Sequence, residues 1–159
     1  MMWYTHVTFA VLLFLILKIP LALPWLAFPV CVIAALLPDI DHRGSKIGRK
    51  MSIASRLVEL VFNHRGVIHS LAAAVAFFVI IMVASYSFGF SLTYGYAFLL
   101  GYASHLVLDS LNPHGVAWLA PFAGHRVRSH VRTNSLWELV VLVAIGGLAI
   151  ANAAKLLLL

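Results

Sequence analysis

Two segments of this chain place metal-ligand residue types at telling spacings. His105 and Asp109 stand four residues apart in an apolar run, so on a helix both project from one face toward a common point. Asn112-Pro113 ends that helix just after Leu111, because the residue before a proline avoids helical geometry. Asp109 then falls in the last turn, where the helix dipole disfavours an unpaired carboxylate by about 0.3–1 kcal/mol. Partial desolvation near a bilayer raises the cost. A bound cation removes both penalties; a structural His–Asp hydrogen bond is the plainer alternative. Pro38-Asp39-Ile40-Asp41-His42 repeats the pattern, with a proline stopping an apolar run and two acids and a histidine following at once. Asp39 and Asp41, two apart, share a face if the segment is extended. One acid pairing with Arg43 is the plain reading, whereas two acids plus His42 favour ligation.

Asn63-His64-Arg65-Gly66-Val67-Ile68-His69-Ser70 reads as a loop entering a helix, with His64 in the loop and His69 in the first helical turns. Beside two acidic segments, His64 and His69 read as ligands and Arg65 as an anion contact. His6, near the start of the first apolar run, is balanced between an interfacial polar residue and a ligand. Glu138 completes a Ser135-x-x-Glu138 capping box and is a secondary catalytic candidate. His114, His125 and His130 share a loop with Arg126, Arg128 and Arg132. That loop is read first as a basic surface toward anionic lipid. Its functional alternative is phosphate reception by Arg126 or Arg128, whose guanidinium forks suit it.

Imidazole and carboxylate without thiolate suit Zn first, with Mn or Fe as alternatives, rather than Cu or an iron–sulfur cluster. The lone Cys31 excludes an intrachain disulfide and a Cys-based zinc site. Asp39, Asp41, His42, His64, His69, His105 and Asp109 exceed the needs of one tetrahedral ion. A two-ion site is therefore expected, with a bridging carboxylate and a metal-bound water as nucleophile. Asp41 and Arg65 are the leading catalytic candidates, and Arg65, Arg126 and Arg128 would neutralise an anionic substrate. The expected reaction is phosphoester hydrolysis on a lipid or membrane-delivered substrate.

These residues sit in a chain of 159 residues that is 63% hydrophobic and 10% charged, with mean hydropathy +1.01. A soluble domain carries about 25% charged residues. Soluble enzymes, disordered tails and nucleic-acid modules are excluded. What remains is a single integral-membrane domain over residues 1–159, an all-α polytopic bundle. Apolar runs near the ~20 residues that cross a bilayer are Trp3–Ile19, Leu21–Leu37, Val67–Tyr86, Phe90–Leu111 and Leu136–Leu156. The first two, separated by Pro20, make two thin spans or a re-entrant hairpin. No cleaved signal peptide is expected. A short amphipathic helix over Ser52–Phe62 is expected to lie in the interface.

Nine of the eleven Lys and Arg fall in the two long loops, leaving Lys18 and Lys155 elsewhere. The positive-inside rule makes those loops cytoplasmic and puts Ser87–Gly89 outside. All five acids and eight histidines then map to the cytoplasmic end, as one polar site would require.

Thr5-His6, Leu36-Leu37-Pro38-Asp39-Ile40-Asp41-His42, His64-Arg65-Gly66-Val67-Ile68-His69-Ser70 and Gly101-Tyr102-Ala103-Ser104-His105-Leu106-Val107-Leu108-Asp109 resemble, in order, the motifs of the YdjM-like family. Its members are bacterial inner-membrane proteins described as metal-dependent hydrolases. Leu111-Asn112-Pro113 and Gly115–Phe122 resemble the family's following loop. The resemblance implies His6 as a ligand and a bacterial inner-membrane location. In motif style the layout is also similar to the zinc-dependent phospholipase C site.

A metal or proton transporter is the first rival; it needs polar groups near the midplane and access from both faces, and the outer halves of these runs are apolar. A haem protein with His69 and His105 as axial ligands leaves Asp39, Asp41 and Asp109 without a role. A third rival is a metal that only staples the helices together.

Overall fold

A computed structural model describes residues 1–17, 24–41 and 67–158 of the chain. Among them are five helices: α1 (Trp3–Leu17), α2 (Pro24–Leu36), α3 (Leu71–Ser87), α4 (Thr93–Ser110) and α5 (Leu136–Leu157). A 3₁₀ turn, Leu37–Asp41, continues α2. The described residues contain one isolated β-bridge, Val116 with Val127, and no longer strand. The fold is all-α, as the sequence predicts.

The expectation of five spans is not supported. Among the described residues only Leu136–Leu156 is clearly long and apolar enough to cross a membrane; Trp3–Leu17, Leu26–Asp39 and Leu71–Ser87 are shorter apolar helices. The physical reasons are local. Pro38 stops α2, and α3 starts four residues later than expected, at Leu71, because Ser70 caps it by accepting a hydrogen bond from the Ala73 amide. Along α4 the inward positions include Tyr102, Ser104 and His105 rather than an unbroken apolar stripe. The amphipathic segment 52–62 lies outside the described residues, as do His42, His64 and Arg65.

α4 is the hub, packing on α1, α2 and α3, while α5 packs on α1. The α2–α4 seam is built of small residues: Ala27, Cys31, Ala34 and Ala35 on one helix, Ala97 and Gly101 on the other, all buried. Small side chains let backbones approach, which is how helices associate where water does not drive them together. The approach is close enough that a Cβ on Gly101 would sit 2.0 Å from the Cys31 carbonyl oxygen. One turn further along both helices, the Ala35 carbonyl meets His105. α2 and α4 therefore run in the same direction.

α1 runs against both, since Ala10 lies at Cys31 and His6 at His105. α3 also opposes α4, with Phe77 against Phe98 and Tyr102, and Phe78 against Tyr96. α5 runs with α1, from Glu138 at Thr5 to Gly146 near Thr8. The amino ends of α1, α3 and α5 and the carboxyl ends of α2 and α4 consequently meet at one end of the bundle. Leu139, Val140, Val143, Leu148 and Ile150 of α5 face outward, the apolar exposure a lipid-facing helix needs.

Candidate metal centre

At that shared end, Asp39, His69, His105 and Asp109 each offer a ligand atom, and the four atoms all lie within 4.8 Å of one another. The i, i+4 pair is set by α4: His105 Nε2 stands 3.3 Å from Asp109 Oδ2. Asp39 arrives from the 3₁₀ turn, 4.0 Å from His105 Nε2, and His69 from the turn before α3, 4.0 Å from Asp109 Oδ2. A tetrahedral zinc with bonds near 2.0–2.1 Å has ligand–ligand edges of about 3.4 Å. The His105–Asp109 edge already has that length, and the 4.0 Å edges close with small side-chain rotations.

The His105 ring is oriented by its other nitrogen. Nδ1 lies 2.8 Å from the Ala35 carbonyl. A carbonyl only accepts, so Nδ1 carries a proton, which leaves Nε2, facing Asp109 and Asp39, as the nitrogen able to ligate. Metal-binding histidines are held in this way, with the second N–H committed to a carbonyl or carboxylate. His105 Nε2 and both ring nitrogens of His6 are buried and make no hydrogen bond. Leaving such an atom unpaired costs about 1–3 kcal/mol, a cost that ligation removes. The donor set and these unpaired nitrogens fit a divalent ion bound by imidazole and carboxylate.

His69 is held by three fastenings on the turn around it. Tyr102 donates its hydroxyl hydrogen to the Ile68 carbonyl, Ser70 caps α3, and the Leu71 amide donates to the Trp118 carbonyl at 2.9 Å. The expectation that His69 lies within the first helical turns is corrected, since it precedes the cap. The expectation of an extended Asp39–Asp41 segment is corrected as well. In a 3₁₀ turn residues two apart are about 240° apart around the axis, so spacing does not put the two acids on one face. The side chain of Asp41 lies outside the described residues.

Glu138 lies at the edge of the site and is 2% exposed. Its Oε1 accepts from the Met2 amide at 2.6 Å and the Thr5 hydroxyl at 3.0 Å; its Oε2 accepts from the Asn134 amide at 2.6 Å. The Glu138 amide donates to Ser135 Oγ, one half of the expected capping box. The other half differs, since the Ser135 amide donates to the Arg132 carbonyl and the Glu138 carboxylate takes the Asn134 amide instead. One carboxylate thus ties together the amino ends of α1 and α5, both of which favour negative charge. It fixes Thr5, and with it the neighbouring His6.

The 111–135 connection is ordered by local bonds. Gly115, with φ +63, turns the chain into the Val116–Val127 bridge, and the Trp118 indole donates to Ser110 Oγ at 2.8 Å. His114, His125, His130, Arg126 and Arg128 are exposed there and stand outside the close group. The Arg126 guanidinium donates to the His114 carbonyl at 3.3 Å.

Sequence reasoning did not anticipate Tyr102, Thr5 or the Ala35 carbonyl as positioning groups. Only the Ser135-x-x-Glu138 spacing carried a signal, and it named the cap without its partner on α1.

Fold and site together define an all-α protein with a histidine–carboxylate cluster at one end of its helix bundle. Over residues 1–159 the chain matches the YdjM inner membrane protein family, and it belongs to that family. It is 37% identical over 121 residues to the uncharacterized protein YvsG of Bacillus subtilis, covering 76% of this chain and 71% of that one. It is 35% identical over 105 residues to the inner membrane protein YdjM of Escherichia coli and to that of Shigella flexneri, covering 61% of this chain and 50% of each. The matched region thus spans half the length of those two relatives. No solved structure matches.

Proposed function

We propose that this protein is a membrane-bound metal-dependent hydrolase that cleaves a phosphoester in a lipid or membrane-delivered substrate. The observation that carries the reading is the convergence of Asp39, His69, His105 and Asp109 on one point, with a buried histidine nitrogen turned toward it and unpaired. Asp39, His69 and Asp109 keep 22%, 21% and 17% of their side chains exposed, whereas His105 is fully buried, so the cluster has an open side through which a substrate can enter. Zinc is the proposed ion, and when bound it would acidify a water and polarise a phosphoryl oxygen.

The chain's own groups divide the remaining work. His105, held by Ala35, fixes one ligand direction, and Asp109 turns one carboxylate oxygen toward His6 and the other toward His105. Glu138 positions α1, its two oxygens accepting from three donors. Arg126 and Arg128 stand exposed on the connection between the site ends of α4 and α5, and Arg65 and Asp41 join them in the proposed scheme as anion contact and catalytic carboxylate. Asp39, Asp109 and Glu138 are engaged in or beside the site, and the 111–135 connection carries no acid, which leaves its exposed charge positive. That suits an anionic headgroup. The succession of oppositely running helices α1–α4 is the basis for proposing a multi-pass arrangement, and the gathering of Lys and Arg in the two long loops is the basis for proposing the site at the cytoplasmic face.

The test is hydrolysis by the detergent-purified, zinc-loaded protein of a panel of phospholipids and isoprenyl phosphates. Release of phosphate or of a phosphorylated headgroup is expected, lowered at least about a hundredfold by Asp109→Asn, the range seen when a single transition-state group is lost. No turnover of any member, or full turnover by Asp109→Asn, overturns the reading.

A further inference from the structure

The four-residue cluster leaves His6 aside, yet His6 is the histidine with the most to explain. It is fully buried, and neither of its ring nitrogens makes a hydrogen bond. Its ring stacks on His105, with centroids 4.0 Å apart and planes 15° from parallel. Both rings turn the same nitrogen toward one carboxylate. His6 Nε2 lies 3.3 Å from Asp109 Oδ1, and His105 Nε2 lies 3.3 Å from Asp109 Oδ2.

An imidazole lone pair lies in the ring plane and points straight out from the nitrogen. Two stacked rings with planes 15° from parallel therefore hold their lone pairs along lines in two separate, nearly parallel planes. A single ion about 2.0–2.1 Å from each nitrogen cannot lie on both lines. Two ions can, one on each line, and rings stacked 4.0 Å apart are compatible with a close pair of ions. Two-metal hydrolytic sites have ions about 3.5–4 Å apart.

We propose that the centre is dinuclear, with Asp109 as the bridging carboxylate. The first ion takes Asp39, His69, His105 and Asp109 Oδ2; the second takes His6 Nε2 and Asp109 Oδ1. The inference rests on the metal-binding part of the reading above and needs none of its catalytic part. The Met1 amino nitrogen lies 2.7 Å from Asp109 Oδ1, and the second ion replaces it as that oxygen's partner. With two protein ligands among the described residues, the second ion keeps coordination positions for water or an anionic oxygen. A purely structural His6 would instead be expected to spend its ring nitrogens on hydrogen bonds, as His105 Nδ1 does.

The test loads the full chain, purified in detergent and stripped of metal, with Mn(II) as the probe. Bound manganese is counted and its electron paramagnetic resonance spectrum recorded. The expected result is two ions per chain and an exchange-coupled multiline signal. His6→Ala and the more conservative His6→Gln, each checked for an unchanged thermal transition, should fall to one ion and an uncoupled six-line signal. A wild type that saturates at one uncoupled ion overturns the dinuclear centre and leaves the single-ion reading standing. If both His6 variants keep two coupled ions, His6 is not a ligand and the assignment of the second ion to His6 and Asp109 is overturned. A wild type that binds no manganese, and no zinc in a parallel titration, overturns both.

Discussion

His105 shows how one residue can be legible in its type and opaque in its setting. The i, i+4 spacing to Asp109 was readable from the chain, because a helix converts that spacing into a shared face. The bond from Nδ1 to Ala35 was not, since it joins residues 70 apart in sequence through the packing of two helices. Glu138 carries the same lesson. Its capping box was plain, but the Thr5 hydroxyl and Met2 amide that share its carboxylate come from the other end of the chain. Glu138→Ala strands three donors, so a loss of about 1–3 kcal/mol is expected from each that stays buried, seen as a lower thermal transition in detergent. Glu138→Gln, which keeps an acceptor oxygen, should recover part of it. An Ala variant as stable as wild type would show that Glu138 does not hold α1 to α5.

At the scale of elements, the site depends on how closely α2 approaches α4. Apolar runs and prolines located the helices to within a few residues. Closeness was not readable, because a glycine in an apolar run has the same spacing whether or not a backbone lies against it. The 3₁₀ turn after α2 was likewise missed, since Pro38 signals an end and not the geometry that follows. Gly101→Ala puts a methyl group where the Cys31 carbonyl stands. Overpacking of this kind costs about 1–3 kcal/mol, and the separation it forces withdraws Ala35 from His105. The expected outcome is a lowered thermal transition together with weaker metal retention. Unchanged zinc affinity in a destabilised Gly101→Ala would mean that the seam supports the fold but does not orient the ligand.

For the whole molecule, gathering the polar minority at one end was the most informative result of reading the chain, and the helix directions bring Asp39, His69, His105 and Asp109 there. The five-span layout did not carry over, because among the described residues only α5 has both the length and the apolarity to cross alone. The shorter helices owe their place to packing on α4, a property of the assembled bundle. The central claim is that this end holds a divalent ion, and elemental analysis of the detergent-purified protein after zinc loading and dialysis tests it most directly. Imidazole must be neutral to ligate, so protons compete with the ion and affinity falls with pH. Wild type is predicted to retain at least one zinc per chain at pH 7.5 and to release it as the pH is lowered to 5, while His105→Ala and Asp109→Asn retain almost none at either pH. A wild type without stoichiometric zinc, or the same zinc content in both variants, would contradict the account.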